Sequence, residues 1–381
     1  MKILTITCHD CYNYGASLQA YALHKYLNDN GFDCSIIDYI NKNIIPKYEF
    51  TKLYPPHRAF KLYSQLGCFG KLLALYLHRK ELKYRKRKKD FIHFKKFFLK
   101  TTPIKYTSID ELKKHKPIAD LYIVGSDQVW NTDLLNGHDP AFYLDFVEDR
   151  NKCISYAASF GLSCIREEWL PFVKSHLNNF RWISVRENTG VRIASKLGYM
   201  ATQVMDPVFL LSKNDWEKLC SKKIKEHYLL LYYLGPEYPL VKDICKQIAL
   251  TYNLKIYAVC GGNEISFADK NINNAGPIEF IEYIRDASFV VSTSFHATAF
   301  SVLFNKQFIV CPIKGQDNLS RMKDFLELFG LEKHFIYSTN DFKYTPIDYE
   351  IKNLILKEHI DRSKKLLLAQ VYKTFQDDNQ R

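Results

Sequence analysis

Four short segments carry side chains able to act on a polar ligand. The first is the loop of residues 8–17, where Asn13, Tyr14 and Gly15 stand directly ahead of a helical run. Free N–H groups and the positive end of a helix dipole suit an anion or a sugar hydroxyl there, although a plain connecting turn would use the same residues. The second is Gly125, Ser126, Asp127, Gln128, Val129, Trp130 and Asn131, directly after the apolar run LYIV. Glycine lets a backbone approach a ligand, the polar side chains offer hydrogen bonds, and Trp130 offers a stacking face, a mixture that fits carbohydrate. A capped turn with Trp130 in the core is the structural alternative. In the third segment, SVREN, Arg186 leaves a buried strand at a helix start. Its guanidinium could grip a carboxylate or phosphate in two places, or simply pair with Glu187 or another internal acid. The fourth is STSFHATAF, residues 292–300, which places His296 among hydroxyls where a strand turns into a helix. Imidazole is the group best suited to proton transfer near neutral pH; a capped or core histidine is the alternative.

Each of these segments follows a β-rich run and precedes a helical one. KILTIT (residues 2–7), a helical pattern over residues 18–27, a stop at Gly31 and CSIIDY (residues 34–39) make a strand–helix–strand unit. Further strands are expected at 121–124, 153–157 and 182–185. After Asp206-Pro207 the pattern restarts, with strands at 228–234, 254–259, 289–292 and 308–310 and helices at about 237–250, 278–286 and 297–304. The expected fold class is therefore α/β, with two Rossmann-like doubly wound domains facing a central cleft, the strand ends pointing into it. Residues 1–200 form the N-terminal domain with a basic helical excursion at about 50–100, residues 201–345 the C-terminal domain, and residues 346–381 a C-terminal helical segment.

With 381 residues, 47% hydrophobic and 25% charged, the chain is long enough for two cores and is not disordered. Its start is too short for a signal peptide and no run is long enough to span a bilayer, so the expected location is the cytoplasm. Ten scattered cysteines fit reduced thiols; Cys8 and Cys11 form an isolated C-x-x-C around His9 that reads as incidental, so no metal site is expected. The net charge of +13 is local: residues 78–100 hold eleven Lys/Arg against two acids. Phe91, Phe94, Phe97 and Phe98 add an apolar stripe beside this block. It reads either as a solvated helix packed by its Phe face or as a peripheral contact, through residues 79–100, with the anionic inner face of the plasma membrane. No recognition motif accompanies it, so nucleic acid is not an expected partner.

Taken in order, NYGASLQAYAL, GSDQVWN, SYAASFG, SVRE, DPVFLL and STSFHATAFSVLFNKQFIV resemble the polysaccharide pyruvyl transferase family, from residue 3 to about 330. That resemblance implies a fold like the two-domain GT-B glycosyltransferases. It implies transfer of a pyruvyl group from phosphoenolpyruvate, as donor substrate and without a separate cofactor, to a lipid-linked or nucleotide-linked saccharide, forming a ketal in bacterial cell-surface or exopolysaccharide synthesis. By the same resemblance His296 is the acid or base, Arg186 an anion clamp, and Arg321 a second clamp. Asn13, Tyr14, Gly15, Gly125, Ser126, Asp127, Gln128, Trp130 and Ser294 are the expected substrate-binding positions. The chain departs from the family at Ser294, where many members carry arginine; Arg321, Lys306 and Lys314 are the candidate replacements. Two alternatives are a nucleotide-sugar glycosyltransferase and a saccharide-binding scaffold without catalysis.

Overall fold

The computed structural model describes residues 1–41, 67, 85–235, 237–260, 264–313, 319–339, 342 and 344–379. The first part of the basic excursion, residues 50–84, lies outside the described residues apart from Gly67, as does Lys314.

The N-terminal half runs β1 (Lys2–Ile6), α1 (Tyr14–Asp29), β2 (Asp33–Tyr39), α2 (Arg85–Phe98), β3 (Thr101–Tyr106), α3 (Ile109–Lys114), β4 (Leu121–Val124) and β5 (Cys153–Ser155). Its five strands are parallel in the order β3-β2-β1-β4-β5. After α4 (Leu170–Leu177), β6 (Ile183–Val185), α5 (Asn188–Lys196) and β7 (Ala201–Gln203) make a parallel pair. Single bridges from Ile154 to Trp182 and from Ala158 to Val185 carry the sheet on from β5 to that pair. The second half adds α6 (Lys213–Glu217), β8 (Tyr228–Tyr233), α7 (Pro239–Tyr252), β9 (Lys255–Cys260), β10 (Lys270–Ile272), α8 (Pro277–Asp286), β11 (Phe289–Ser292), α9 (Phe295–Leu303) and β12 (Gln307–Val310). Its parallel order is β10-β9-β8-β11-β12, the same permutation as the first sheet. The fold is thus two doubly wound α/β halves. The central strands, such as β4 (LYIV) and β8 (YLLLYY), are buried along their whole length, as parallel strands covered on both faces must be.

Equal strand orders give equal switch points, between β1 and β4 in one half and β8 and β11 in the other. Ligands bind doubly wound sheets just beyond the strand ends at such points. The segments 8–15, 125–131 and 293–296 all leave from these strands.

Helix α1 is buried along most of its length because both halves use it. It packs on its own sheet, on the turn Pro207–Leu210, and on α8 and α9. One hydrophobic cluster therefore runs from Ile3 and Leu18 through Phe209 to Phe280 and Phe300. Tyr14 joins the halves directly, stacking on Phe280 at 4.3 Å between ring centres with its hydroxyl donating to Ala275 O. Such a ring pair adds about 0.5–1.5 kcal/mol beyond the area it buries.

Helix α2 lies across the same seam. Phe91 and Phe94 are buried and Phe98 half-buried, as the stripe predicts, while Phe97 stays 63% exposed. Several of its cations are engaged internally: Lys86 with Asp90 and Glu279, Lys95 with Asp10 and Asp38. Arg87 is buried, donating to Cys260 O at 3.0 Å and lying over the Tyr14 ring. After α10 (Ser320–Leu328), the long α11 (Tyr349–Asn379) returns to the first half. Arg181 donates there to Gln370 and Thr374, and Met205 N to Ser363 Oγ. No helix among the described residues is long and apolar enough to cross a membrane.

Candidate functional site

The site assembles around Asp206, which the sequence marks as the point where the strand pattern restarts and as the head of DPVFLL, but not as a site residue. Asp206 follows β7 and caps the turn Pro207–Leu210, its Oδ1 accepting from Val208 N at 3.1 Å. That leaves Oδ2 facing the cleft, where it accepts from Ser126 Oγ at 2.9 Å and from Arg186 Nη1 at 2.8 Å. His296 Nε2 stands 3.6 Å away, beyond hydrogen-bond length but well within electrostatic reach. Four strand ends, those of β4, β6, β7 and β11, thus deliver Ser126, Arg186, Asp206 and His296 to one point. The guanidinium from the first half and the imidazole from the second meet on one carboxylate.

Arg186 has a fully enclosed side chain, with Asp127 Oδ1 at 3.5 Å, Glu187 Oε2 at 3.6 Å and the Phe295 ring at 4.4 Å. The internal pairing read as the structural alternative is therefore present, and it coexists with proximity to His296. Only Nη1 makes a hydrogen bond: Nε and Nη2, like His296 Nε2, have no hydrogen-bond partner among the described residues. Buried N–H groups are costly to leave unpaired, so this is a place prepared for an acceptor.

The charges follow the geometry. Burial opposes ionisation of Asp206, but His296 and then Arg186 outweigh it and hold the carboxyl well below its ordinary range. For Glu187 the balance tips the other way: burial pushes it up despite Arg186. Burial also works against the charge on Arg186, and the surrounding carboxylates, Asp206 foremost, overcome it and raise its pKa.

The second half contributes Arg321 as well. It opens α10, one turn before Asp324, whose carboxylate accepts from Thr189 N at 2.6 Å and so caps the start of α5 beside Arg186. On the same face, Arg321 reaches Gln128, whose amide oxygen, turned toward it, accepts from Nη1 and Nη2 at 3.2 Å. Lys306, by contrast, donates to Ala287 O and is spent in its own half. Of the cations proposed to replace the arginine absent at Ser294, Arg321 is the described one that joins the cluster. Ser294 itself leads into α9, and its side chain makes no capping bond.

Gly15 holds the closest contact across the cleft. A Cβ there would lie 2.0 Å from His296 Nδ1, so only glycine lets the imidazole sit where it does. Asn13 caps α1 through Ala16 N at 3.3 Å. Tyr14 is an inter-half packing residue, buried and hydrogen-bonded, and Gly125 lies against Leu23 and Thr7 beneath α1. Trp130 is fully buried among Tyr143, Phe160 and Phe180, with Nε1 donating to Phe142 O at 2.9 Å. It presents no face for a sugar to stack on, which is a correction to the sequence expectation. Among the described residues no group of three or more His, Cys, Asp or Glu is placed to hold a metal.

A family model for polysaccharide pyruvyl transferases matches residues 13–315. No curated protein matches the chain. Similar solved structures include a putative UDP-N-acetylglucosamine 2-epimerase from Listeria monocytogenes, 10% identical, covering 99% of this chain and 97% of that one at a TM-score of 0.49. They also include the UDP-GlcNAc 2-epimerase of Methanocaldococcus jannaschii, 12% identical over 98% and 100% of the two chains, with a TM-score of 0.47. A spinosyn forosaminyltransferase is 10% identical over 98% and 95%, with a TM-score of 0.40.

Proposed function

Because the chain belongs to the polysaccharide pyruvyl transferase family, we propose that it moves the pyruvyl group of phosphoenolpyruvate onto two hydroxyls of one saccharide, giving a ketal and inorganic phosphate. The observation that carries this reading is the meeting of Arg186 and His296 at one buried point, with Nε, Nη2 and the imidazole Nε2 lacking hydrogen-bond partners among the described residues.

The chemistry needs a proton at the methylene carbon and a clamp on a small anion. His296 gives the proton to the methylene carbon, which becomes a methyl group and leaves the second carbon electron-poor. One sugar hydroxyl adds there, losing its proton. Departure of phosphate, taking the bridging oxygen, reopens that carbon for the second hydroxyl. The two protons lost by the hydroxyls balance the one gained by carbon and the one carried away on phosphate. Arg186 holds the carboxylate or phosphate through Nε and Nη2, keeping Nη1 on Asp206, and Arg321 supplies the second cation that Ser294 lacks. Asp206 acts through the others as a positioning residue: it fixes the guanidinium through Oδ2 and sets that same oxygen 3.6 Å from the imidazole Nε2.

A lipid-linked acceptor would place the reaction at the inner face of the plasma membrane. The exposed cations Arg85 and Lys89, the half-buried Lys88 and the exposed Phe97 of α2 support that location. Phosphate release from phosphoenolpyruvate should require a saccharide acceptor and fall by at least two orders of magnitude in His296→Ala. Full turnover in that variant removes the assignment. Calorimetry that detects sugar nucleotides and not phosphoenolpyruvate favours the glycosyltransferase alternative. Saccharide-induced stabilisation without turnover of any donor favours the scaffold.

A further inference from the structure

A cavity of about 240 Å³ opens beyond the carboxyl ends of β1 and β2, walled by α2, and the site above does not use it. A single water or ion needs only about 10–15 Å³, so this space has the scale of a sugar ring. Its polar lining includes Asp10, Lys95, Lys105 and Asn136, and its apolar lining Phe91 and Ile92. The charges alternate and cancel in pairs: Lys95 lies 2.7 Å from Asp10 and 3.1 Å from Asp38, and Lys105 4.0 Å from Asp10. Such a surface has little pull on a free phosphate. It offers adjacent donors and acceptors to a neutral molecule whose neighbouring hydroxyls are each both, while a ring face rests on apolar carbon. The thiols of Cys8 and Cys11 also line the space, and burial pushes both far above the ordinary thiol range, so they are neutral and unreactive near pH 7.

The cavity is tied to the reaction point by Asp127. Its carboxylate acts electrostatically on Cys8 and Cys11 from one side, and on the other its Oδ1 lies 3.5 Å from Arg186 Nη2. Asp127 is held there with φ of +76°, a left-handed conformation that a residue other than glycine adopts only where the surrounding structure imposes it.

We infer that this cavity is the acceptor subsite, which takes an uncharged sugar ring of the saccharide and turns its reacting hydroxyls past Asp127 toward the anion held by Arg186. The inference rests on the pyruvyl-transfer reading for its direction, and its own content is a neutral-sugar site between α2 and the ends of β1 and β2.

The test uses the full chain with the methyl glycosides of glucose, galactose, mannose and N-acetylglucosamine, read by saturation-transfer NMR, and phosphoenolpyruvate, read by calorimetry. Ile92 and Lys105 are both exposed, so Ile92→Glu and Lys105→Ala change the cavity lining without touching the core. At least one glycoside should receive saturation from the unaltered protein. Its affinity should fall at least tenfold in Ile92→Glu and severalfold in Lys105→Ala, with phosphoenolpyruvate binding and melting temperature unchanged. If no glycoside is saturated, or the two variants bind it as the unaltered chain does, the cavity assignment is overturned. Glycoside binding that Ile92→Glu abolishes, in a protein that never binds phosphoenolpyruvate, keeps the cavity and discards the donor. Turnover of phosphoenolpyruvate that Ile92→Glu leaves untouched in acceptor KM discards the cavity and keeps the donor.

Discussion

Gly15→Ala is the sharpest perturbation because packing and helix propensity predict opposite signs for it. Gly15 lies in the first turn of α1, where alanine would ordinarily stabilise a helix by up to about 1 kcal/mol. Here the added Cβ falls 2.0 Å from His296 Nδ1 and 2.4 Å from its Cγ. That is about 1.5 Å short of ordinary carbon contact, too much for bond angles to absorb. Either the imidazole turns out of place or α1 and α9 separate; both are buried along these faces. Overpacking of this kind costs about 1–3 kcal/mol, so Gly15→Ala should lower the melting temperature rather than raise it. A displacement of about 1 Å at a catalytic group costs around a hundredfold in rate, so kcat should fall by that factor or more, with a smaller change in donor KM. Thermal melts and steady-state phosphate release measure the two effects. A Gly15→Ala protein that melts higher and turns over at the original rate would refute the reasoning, since it would mean His296 does not need the space beside Gly15.

Other perturbations test the remaining contacts. Ser126→Ala removes a buried donor to Asp206 while leaving Arg186 and Val208 N in place, and should cost about 1–3 kcal/mol in urea denaturation. Asp206 has a folded-state carboxyl held far below the roughly 3.9 of an unfolded aspartate, so its stabilisation is complete above about pH 4 and is lost as pH falls further. Asp206→Asn should therefore be less stable at pH 7 by about 3–5 kcal/mol and lose less on acidification; equal acid slopes for the two proteins would contradict this. Removing Arg85, Lys88 and Lys89 together should weaken retention on anionic vesicles at low salt by about two orders of magnitude, at about 1 kcal/mol each. Unchanged retention, or none at the outset, removes the membrane contact.

The sheet strands that cross the molecule were legible because continuous apolar runs such as LYIV, FVVS and YLLLYY can only be buried. The edge strand β3 was not: TTPIKY has a proline and three exposed residues, as an edge that discourages further pairing should. β7 and β10, three residues each, carry too little pattern to stand out from loops. The four polar segments were visible because they follow strand ends. Which of their side chains face one another was not, since Ser126, Arg186, Asp206 and His296 meet only through the sheet order. Asp206 left one local trace, an Asp-Pro pair that caps the turn after β7. Trp130 could be read either as a ligand platform or as core, and the aromatic neighbours that decide the matter come from segments without helical or strand period. The basic block looked like surface, yet Arg87 lies inside it, held by a backbone carbonyl 173 residues away.

A crystal of the full chain soaked with phosphoenolpyruvate would show whether the donor sits where Arg186 and His296 converge. One anionic group should lie within about 3.2 Å of Arg186 Nε or Nη2, with the methylene carbon facing His296 Nε2. Phosphoenolpyruvate bound away from both residues, with Asp206 still bridging them unchanged, would contradict that placement.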